Sequence, residues 1–207
     1  MFKKLRQYST ISLCSLLLAS CFSVKYPEQQ TYMLNIAMPQ QEKITTKHNL
    51  LMIATPTIAA QFQNNTFVYR TSAIHYLTDY YNAFFIPPNL QIKQLITEYL
   101  SHAGLFQQVV GQSNIMRADL ILQTEITALY ADYRNSNYPK GVIAMQFMLL
   151  NKEAKKSEIL FNTTFSETIP LQQKDSQSLV LAWNQGLQKI LKQLTVKLKT
   201  VTSPASI

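Results

Sequence analysis

The chain is poor in glycine, with four glycines among 207 residues. Loops that cradle phosphate groups need several closely spaced glycines, so this composition argues against a phosphate-binding loop. The sequence also contains no G-x-S-x-G and no H-E-x-x-H motif, which removes familiar signatures of serine hydrolases and zinc peptidases. We therefore predict that the protein is not an enzyme and uses no cofactor.

Histidine is almost as scarce, with three residues that are far apart in the sequence, His48, His75 and His102. Glu98 and His102 are four residues apart on a predicted helix and resemble half of a metal site. The simpler interpretation is a pair on the helix surface, which contributes about 0.2–0.5 kcal/mol. We predict that no metal is bound.

The amino terminus has the pattern of a secretory leader. Lys3, Lys4 and Arg6 precede an uncharged, leucine-rich stretch at 11–19, which is too short for a membrane span of about 20 residues. The segment Leu18-Ala19-Ser20-Cys21 then matches the lipobox of bacterial lipoproteins. That resemblance implies a signal peptide at 1–20, cleavage before Cys21 and lipidation of Cys21. The alternative is an ordinary signal peptide with a chance cysteine.

Cysteine occurs only twice, at Cys14 and Cys21. Cys14 would be lost with the leader and Cys21 would carry lipid, so the mature domain would have no thiol for a disulfide, a metal site or a nucleophile. Phe22 follows the lipidated position, where aspartate favours retention in the inner membrane of enterobacteria. Phe22 therefore points to the outer membrane, with the domain on its periplasmic face.

The charge balance is basic, at +8 for the whole chain. Removing three basic residues with the leader leaves 16 basic against 11 acidic residues, a surplus of five. Such a surplus suits a surface near anionic lipid headgroups, although scattered solvated lysines explain it equally well. No basic cluster interleaved with aromatics supports nucleic-acid binding.

The mature chain is predicted to be one α+β domain over 31–199, between a lipidated tether at 21–30 and a tail at 200–207. Alternating or short apolar runs predict strands at 31–37, 50–54, 67–71, 75–82, 105–110, 118–133, 142–151 and 159–169. The order of strands, helix, strands and helix favours a largely antiparallel sheet with two amphipathic helices packed on one face. We expect a bend near the middle of the strand at 118–133.

Two amphipathic helices account for the rest of the domain. The first follows Pro87-Pro88 and ends before Gly104, and the second runs from about Ser176 to Lys199. Their apolar faces are predicted at helical spacing and comprise Ile92, Leu95, Ile96, Tyr99, Leu100 and Ala103 in the first, and Leu179, Trp183, Gly186, Leu187, Ile190 and Leu194 in the second.

Several short motifs run through the mature chain, namely Cys21 with its lipobox, Tyr32 and Leu34, Val68-Tyr69-Arg70, Tyr80-Tyr81-Asn82-Ala83-Phe84, Pro87-Pro88, Ala118-Asp119-Leu120 and Leu181-Ala182-Trp183. On these residues the chain resembles the ABC-type transport auxiliary lipoproteins, the family of paraquat-inducible protein C, over nearly its full length. One departure is Phe84, where the family usually has tryptophan, so an indole hydrogen bond at this position would have no donor.

The resemblance implies an outer-membrane lipoprotein that works with an ABC transporter and an MCE-domain (mammalian cell entry) protein in moving lipid across the periplasm. In the best-known case the lipoprotein forms a ring, so a homo-oligomer is implied as well. A lipoprotein subunit of another envelope machine, for lipopolysaccharide assembly or secretion, is the alternative. A lipid-tethered periplasmic enzyme is the third hypothesis.

An aromatic run, Tyr76, Tyr80, Tyr81, Phe84 and Phe85, is the densest unusual feature of the sequence. The favoured interpretation is that it packs between the sheet and the first helix, and the alternative is an exposed partner surface.

Within the segment that joins this run to the first helix, consecutive extended residues alternate in direction. We therefore assign Phe84 to the core, and Phe85 or Ile86 to a partner contact. Arg70 and Asp79 are candidates for an exposed ion pair.

Overall fold

A computed structural model describes residues 27–40, 50–111, 118–152 and 158–202. The described strands are β1 (Gln30–Tyr32), β2 (Leu50–Ile53), β3 (Thr57–Ile58), β4 (Thr66–Arg70), β5 (Tyr76–Phe84), β6 (Gln108–Val110), β7 (Leu120–Asp132), β8 (Lys140–Asn151) and β9 (Glu158–Pro170). The helices in these ranges are α1 (Pro88–His102) and α2 (Ser176–Thr202), and the same ranges contain a 3₁₀ turn at Ala60–Phe62. The predictions for the leader, Cys21, Phe22 and His48 lie outside the described residues.

Strand β7 organises the sheet. One of its edges pairs along its whole length with β8, which pairs in turn with β9, and both ladders are antiparallel. Its other edge pairs in succession with β2, β3 and β4, and all three ladders are parallel and two or three residues long. A register shift between Ile126 and Ala128 confirms the predicted bend in this strand.

The described part of the chain therefore forms one mixed sheet of nine strands with two helices, which confirms the α+β class. The longest ladders are antiparallel, since β7, β8 and β9 follow one another through connections short enough for hairpins. The parallel ladders are two or three residues long, and besides those of β7 they include β1 beside β5 and β6 beside β2 at the two ends of the strand order.

Both helices pack on the same side of the sheet and build the core. Helix α1 covers β2 and β6, while α2 lies across β8 and β9. Along β8 the alternate residues that face α2 are fully buried, namely Ile143, Met145, Phe147 and Leu149. Every residue predicted for the two apolar helix faces is buried, so those two sets of predictions are confirmed.

The helix ends follow local signals in the sequence. Pro88 occupies the start of α1, and Gly104, with a φ of 64°, follows the carboxyl end of α1 in the left-handed conformation. Helix α2 continues three residues beyond the predicted Lys199, to Thr202.

The first strand is shorter than predicted. Only Gln30–Tyr32 pairs with β5, although Leu34 and Ile36 are buried as their alternation indicates. Beyond Tyr32, side chains of both helices bind the backbone donors, since Leu34 N donates to Gln91 Oε1 at 2.8 Å and Asn35 N donates to Asn184 Oδ1 at 3.0 Å. These contacts substitute for a neighbouring strand.

Two further differences concern short segments. The strand predicted at 105–110 pairs only over Gln108–Val110, because Leu105 and Phe106 turn into the core directly after Gly104. Strand β3 and the 3₁₀ turn, which follow Pro56, were not predicted, since elements of two or three residues leave no periodicity in a sequence.

Candidate functional site

Most of the aromatic run on β5 is exposed, which corrects the favoured interpretation. Tyr76, Tyr80, Tyr81 and Phe85 are 43%, 79%, 45% and 65% exposed, and only Phe84 is buried. The physical reason is the position of β5 in the sheet. It pairs with β4 and, over three residues, with β1, while the extensive contacts of the helices are with β2, β6, β8 and β9.

A bulge of several residues in β5 turns Tyr80 and Tyr81 outward. Thr66 pairs with Ala83 and Val68 pairs with Thr78, so residues 79–82 face a single residue of β4. The Asp79 carboxylate closes the bulge by accepting the backbone N–H groups of Tyr81 at 2.8 Å and Asn82 at 3.1 Å. Tyr80 and Tyr81 then meet edge to face with ring centroids 5.3 Å apart.

The buried side of this bulge is also tied to Asp79. The Tyr69 hydroxyl and the Asn82 side-chain amide both donate to Asp79 Oδ2. Burial and the nearby Asp79 carboxylate raise the pKa of Tyr69, so its hydroxyl stays a donor throughout the physiological range. Asp79 is therefore a structural residue that fixes the conformation of the exposed tyrosines.

Arg70 does not pair with Asp79, so that candidate ion pair is wrong. The Arg70 guanidinium donates to the carbonyls of Ser72 and Ala73 at 3.2 and 3.0 Å and lies over the Tyr76 ring. Arg70 and Tyr76 are direct partners across the ladder, which places them on the face opposite Tyr69.

The junction between β5 and α1 separates buried from exposed residues as the alternation predicts. Phe84 is 4% exposed and stacks on Trp183, with centroids 5.4 Å apart, and meets the edge of Phe67 at 4.8 Å. Phe85 points out of the protein, and Ile86 is half-buried. The structure thus places Phe84 and Phe85 as assigned, while a partner contact through Phe85 or Ile86 stays a prediction.

One buried glutamine holds this junction rigid. Gln91, on the first turn of α1, donates through Nε2 to the Ile86 carbonyl at 2.6 Å and accepts the Leu34 N–H through Oε1. Both polar atoms of its side chain are therefore used where water has no access. The link fixes β1, the Phe85–Ile86 segment and α1 relative to one another.

Met33 extends the exposed surface beside Phe85. Tyr32 and Phe84 are paired and both point into the core, so Met33 and Phe85, one residue further along, project from the opposite face of the ladder. Met33 is 51% exposed. We name Met33, Tyr80, Tyr81 and Phe85 the β1–β5 edge.

Met33 was missed in the sequence because it lies outside the aromatic run. A usable signal did exist for the tyrosines, since Tyr80 and Tyr81 are consecutive and cannot both point to the same side of a regular strand.

The histidines that the structure describes take part in local bonds. His75 Nδ1 lies 2.7 Å from Thr71 Oγ1, and His102 Nδ1 lies 2.9 Å from the Glu98 backbone carbonyl rather than its carboxylate. Within the described ranges no three His, Cys, Asp or Glu side chains come together as a metal site.

One groove lies on the sheet face opposite the helices and has a volume of about 420 Å³. Its lining includes Thr57, Glu125 and Met148, together with Gln146, whose side-chain amide donates to Asn162 at 2.8 Å. Histidine, cysteine and lysine are absent from its lining.

Comparisons with known proteins agree with this architecture. The family model described as ABC-type transport auxiliary lipoprotein component matches residues 32–195. No functionally curated protein matches the sequence. In the part of the chain that the structure describes, neither helix has the length and hydrophobicity of a transmembrane span.

Two solved structures share the fold at low sequence identity. Protein XCC0632 from Xanthomonas campestris has a TM-score of 0.71 and 16% identity, over 84% of this chain and 96% of that chain. An uncharacterised protein has a TM-score of 0.62 and 16% identity, over 78% of this chain and 99% of that chain.

Proposed function

Because the chain belongs to the family of ABC-type transport auxiliary lipoprotein components, we propose that it is an outer-membrane lipoprotein on the periplasmic face that serves an ABC/MCE-type lipid transport system. In this proposal it has no catalytic activity and docks to the periplasm-spanning MCE-domain protein. The family match over residues 32–195 is the observation that carries the proposal.

The β1–β5 edge supports a docking role. Exposed aromatic and methionine side chains are enriched where proteins bind one another, and this group is presented by a backbone that Asp79 and Gln91 hold in place. A rigid surface loses little conformational entropy on binding. Phe85, at 65% exposure, is the residue through which we propose that the MCE protein or a second copy is bound.

The proposed lipid anchor accounts for the membrane location. Acylation contributes about 0.8 kcal/mol for each buried methylene group, and stable attachment needs more than one chain. Lipidation of Cys21 would supply such an anchor, and the nine residues 22–30 span at most roughly 30 Å. The domain would then remain close to its membrane while the β1–β5 edge stays accessible.

The first experiment tests the anchor. Cells expressing the full chain and the Cys21→Ser variant are fractionated without detergent. We expect the parent protein in the outer-membrane fraction and the variant in the soluble periplasmic fraction or retained with its uncleaved leader. Outer-membrane recovery of both proteins would contradict lipidation at Cys21.

The second experiment tests the docking surface. The lipidated chain, Phe85→Asp and the control Val196→Asp are mixed with the MCE-domain protein of the proposed transport system, and capture is measured. Val196 is 63% exposed on α2, so both variants place a charge on a similarly exposed apolar site. We expect Phe85→Asp to lose capture at least tenfold with a nearly unchanged melting temperature, and Val196→Asp to bind normally. Equal capture of all three proteins would overturn this assignment.

A further inference from the structure

Five strands end in register at one end of the sheet. Tyr76 pairs with Arg70, Arg70 with Asp132, Asp132 with Lys140 and Lys140 with Pro170. The loops at 71–75, 133–139 and 171–175 therefore lie side by side beyond this row. We name these three loops, together with the row itself, the turn end of the domain.

An exposed isoleucine lies in the first loop of the turn end. Ile74 is 92% exposed, yet the turn that carries it is well ordered by internal bonds. Ser72 Oγ accepts the N–H groups of Ile74 and His75 at 3.3 and 3.1 Å, and Arg70 binds the carbonyls of Ser72 and Ala73. The turn therefore holds an apolar side chain in the solvent.

The neighbouring loops add aromatic and basic side chains. Tyr138 is 70% exposed and Tyr76 is 43% exposed, and Lys140 and Lys174 are exposed close to them. The charged residues of the turn end are the cations Arg70, Arg134, Lys140 and Lys174 and the anions Asp132 and Asp175.

Both anions already have protein partners. Asp132 lies 2.5 Å from the Arg134 guanidinium, which lowers the pKa of Asp132, and Asp175 accepts the Ser178 N–H at 2.6 Å. With four cations against two anions, the net charge of the turn end is positive.

The amino-terminal chain reaches the domain from the same direction. Strand β1 runs parallel to β5, with Gln30 beside Asn82, and the Gln29 side chain donates to the Tyr80 carbonyl. Going backwards from Gln30 therefore leads along β5 towards Tyr76 and the turn end. Gln29 is eight positions after Cys21, so the chain from one to the other spans at most about 28 Å. Asn82 and Tyr76 are six strand positions apart, at most about 20 Å.

We propose that the turn end rests on the membrane leaflet that holds the lipid anchor, and that it binds anionic phospholipid headgroups. Ile74 enters the boundary between headgroups and acyl chains, Tyr138 lies at headgroup level, and Lys140 and Lys174 bind phosphate. This inference rests on the lipidation of Cys21 in the proposed function. It adds that the domain has a fixed orientation on the membrane.

The chemistry of the surface favours lipid as its occupant. Tyrosine is enriched at membrane–water interfaces, basic residues near an anionic surface contribute about fivefold each in binding, and an apolar tip adds hydrophobic insertion. The proposed orientation also places Phe85 away from the membrane, because it lies at the opposite end of β5.

The two cysteines of the sequence are Cys14, in the predicted leader, and Cys21, which would carry lipid. The mature chain would therefore have no free thiol, and a cysteine introduced by mutation can be labelled selectively. Ile74→Cys and Val196→Cys are each labelled with an environment-sensitive fluorophore in the lipidated full chain. The proteins are incorporated into vesicles of phosphatidylcholine with about 30% phosphatidylglycerol and spin-labelled quencher lipids. Val196 is the matched control, because it is exposed and lies 20 helical residues, or about 30 Å, from Ser176 at the start of α2.

We expect quenching at position 74 to exceed that at position 196 by at least threefold. Adding Lys140→Glu and Lys174→Glu to Ile74→Cys should remove most of that difference, whereas Lys192→Glu and Lys197→Glu on α2 should leave it unchanged. Equal quenching at both positions in protein that floats with the vesicles overturns this inference and leaves the proposed function intact. Protein that does not float overturns the lipid anchor, and the inference with it. Strong quenching that is unaffected by Lys140→Glu and Lys174→Glu overturns the role given to headgroup charge.

Discussion

Phe84 and Phe85 are adjacent residues with opposite surroundings. Phe84 contacts Trp183 and Phe67 in the core, so truncating it removes a large buried side chain and leaves a cavity. Phe84→Ala is expected to lower the free energy of unfolding by about 3–5 kcal/mol, as measured by urea denaturation. Tyr80→Ala is the control, because this side chain is 79% exposed and its loss should change stability by less than about 0.5 kcal/mol. A cost below about 1 kcal/mol for Phe84→Ala would show that Phe84 does not belong to the core.

Tyr133 gives the protein an alkaline limit to its stability. Burial, together with the carboxylates of Asp175 and Asp79, raises the pKa of Tyr133 to about 12, against about 10 in an unfolded chain. Because the folded state holds this proton more tightly, the stabilisation is fully present below pH 10 and is lost as the pH rises from 10 to 12.

Between pH 9 and pH 11 the free energy of unfolding of Tyr133→Phe should therefore fall by about 0.5–1 kcal/mol less than that of the parent protein. This range allows for solvent screening of the partly exposed ring. Parallel pH profiles of the parent protein and Tyr133→Phe would contradict the assignment.

At the scale of elements, the contact between α2 and β8 depends on the absence of a side chain. A Cβ atom built at Gly186 would lie 2.6 Å from Ile143 Cγ2 and 3.4 Å from Glu167 Cβ. Replacing glycine by alanine inside a helix ordinarily stabilises it by about 1 kcal/mol. Here the clash with the sheet should reverse the sign, and Gly186→Ala is expected to destabilise the domain by about 1–3 kcal/mol.

Thermal and urea denaturation measure this effect, and a double-mutant cycle identifies its cause. In an Ile143→Ala background the clash is removed, so adding Gly186→Ala should be neutral or stabilising. Gly111→Ala is the matched control, since its Cβ would meet Lys93 and Thr97 at an ordinary 3.6 Å. A stabilising Gly186→Ala in the parent chain would mean that α2 packs less closely than described.

At the scale of the whole molecule, we expect the purified protein to contain no stoichiometric metal. His75 and His102 bond to Thr71 and to a backbone carbonyl, and the described residues contain no group of three metal-binding side chains. Elemental analysis of protein purified without chelator should therefore find well below one zinc per chain. Stoichiometric zinc that is lost in His75→Ala or His102→Ala would contradict this prediction. It would equally contradict our expectation that the protein has no metal-dependent activity.

The helices were the part of the fold that local sequence determined. Their apolar residues recur at the spacing of one helix face, Pro88 suits the start of α1, and Gly104 is the residue that tolerates the left-handed conformation after its end. The hairpin of β4 and β5, and that of β8 and β9, were likewise predictable, because each joins neighbouring strands through a short connection. These features depend on residues close together in the chain.

Only the tertiary structure decided which strands border β7 and which aromatic residues remain exposed. The pairing of β2, β3 and β4 along one edge of β7 joins segments more than 60 residues apart, and no local pattern specifies such a partner. Tyr80 and Tyr81 have the same β-forming character as buried aromatics. They are exposed because Asp79 closes a bulge on a strand whose extensive contacts are with β4 and β1 rather than with the helices. The sequence by itself determines the periodicity of apolar residues and the signals at helix ends. Whether a side chain is exposed depends on which other elements pack against its face of the sheet.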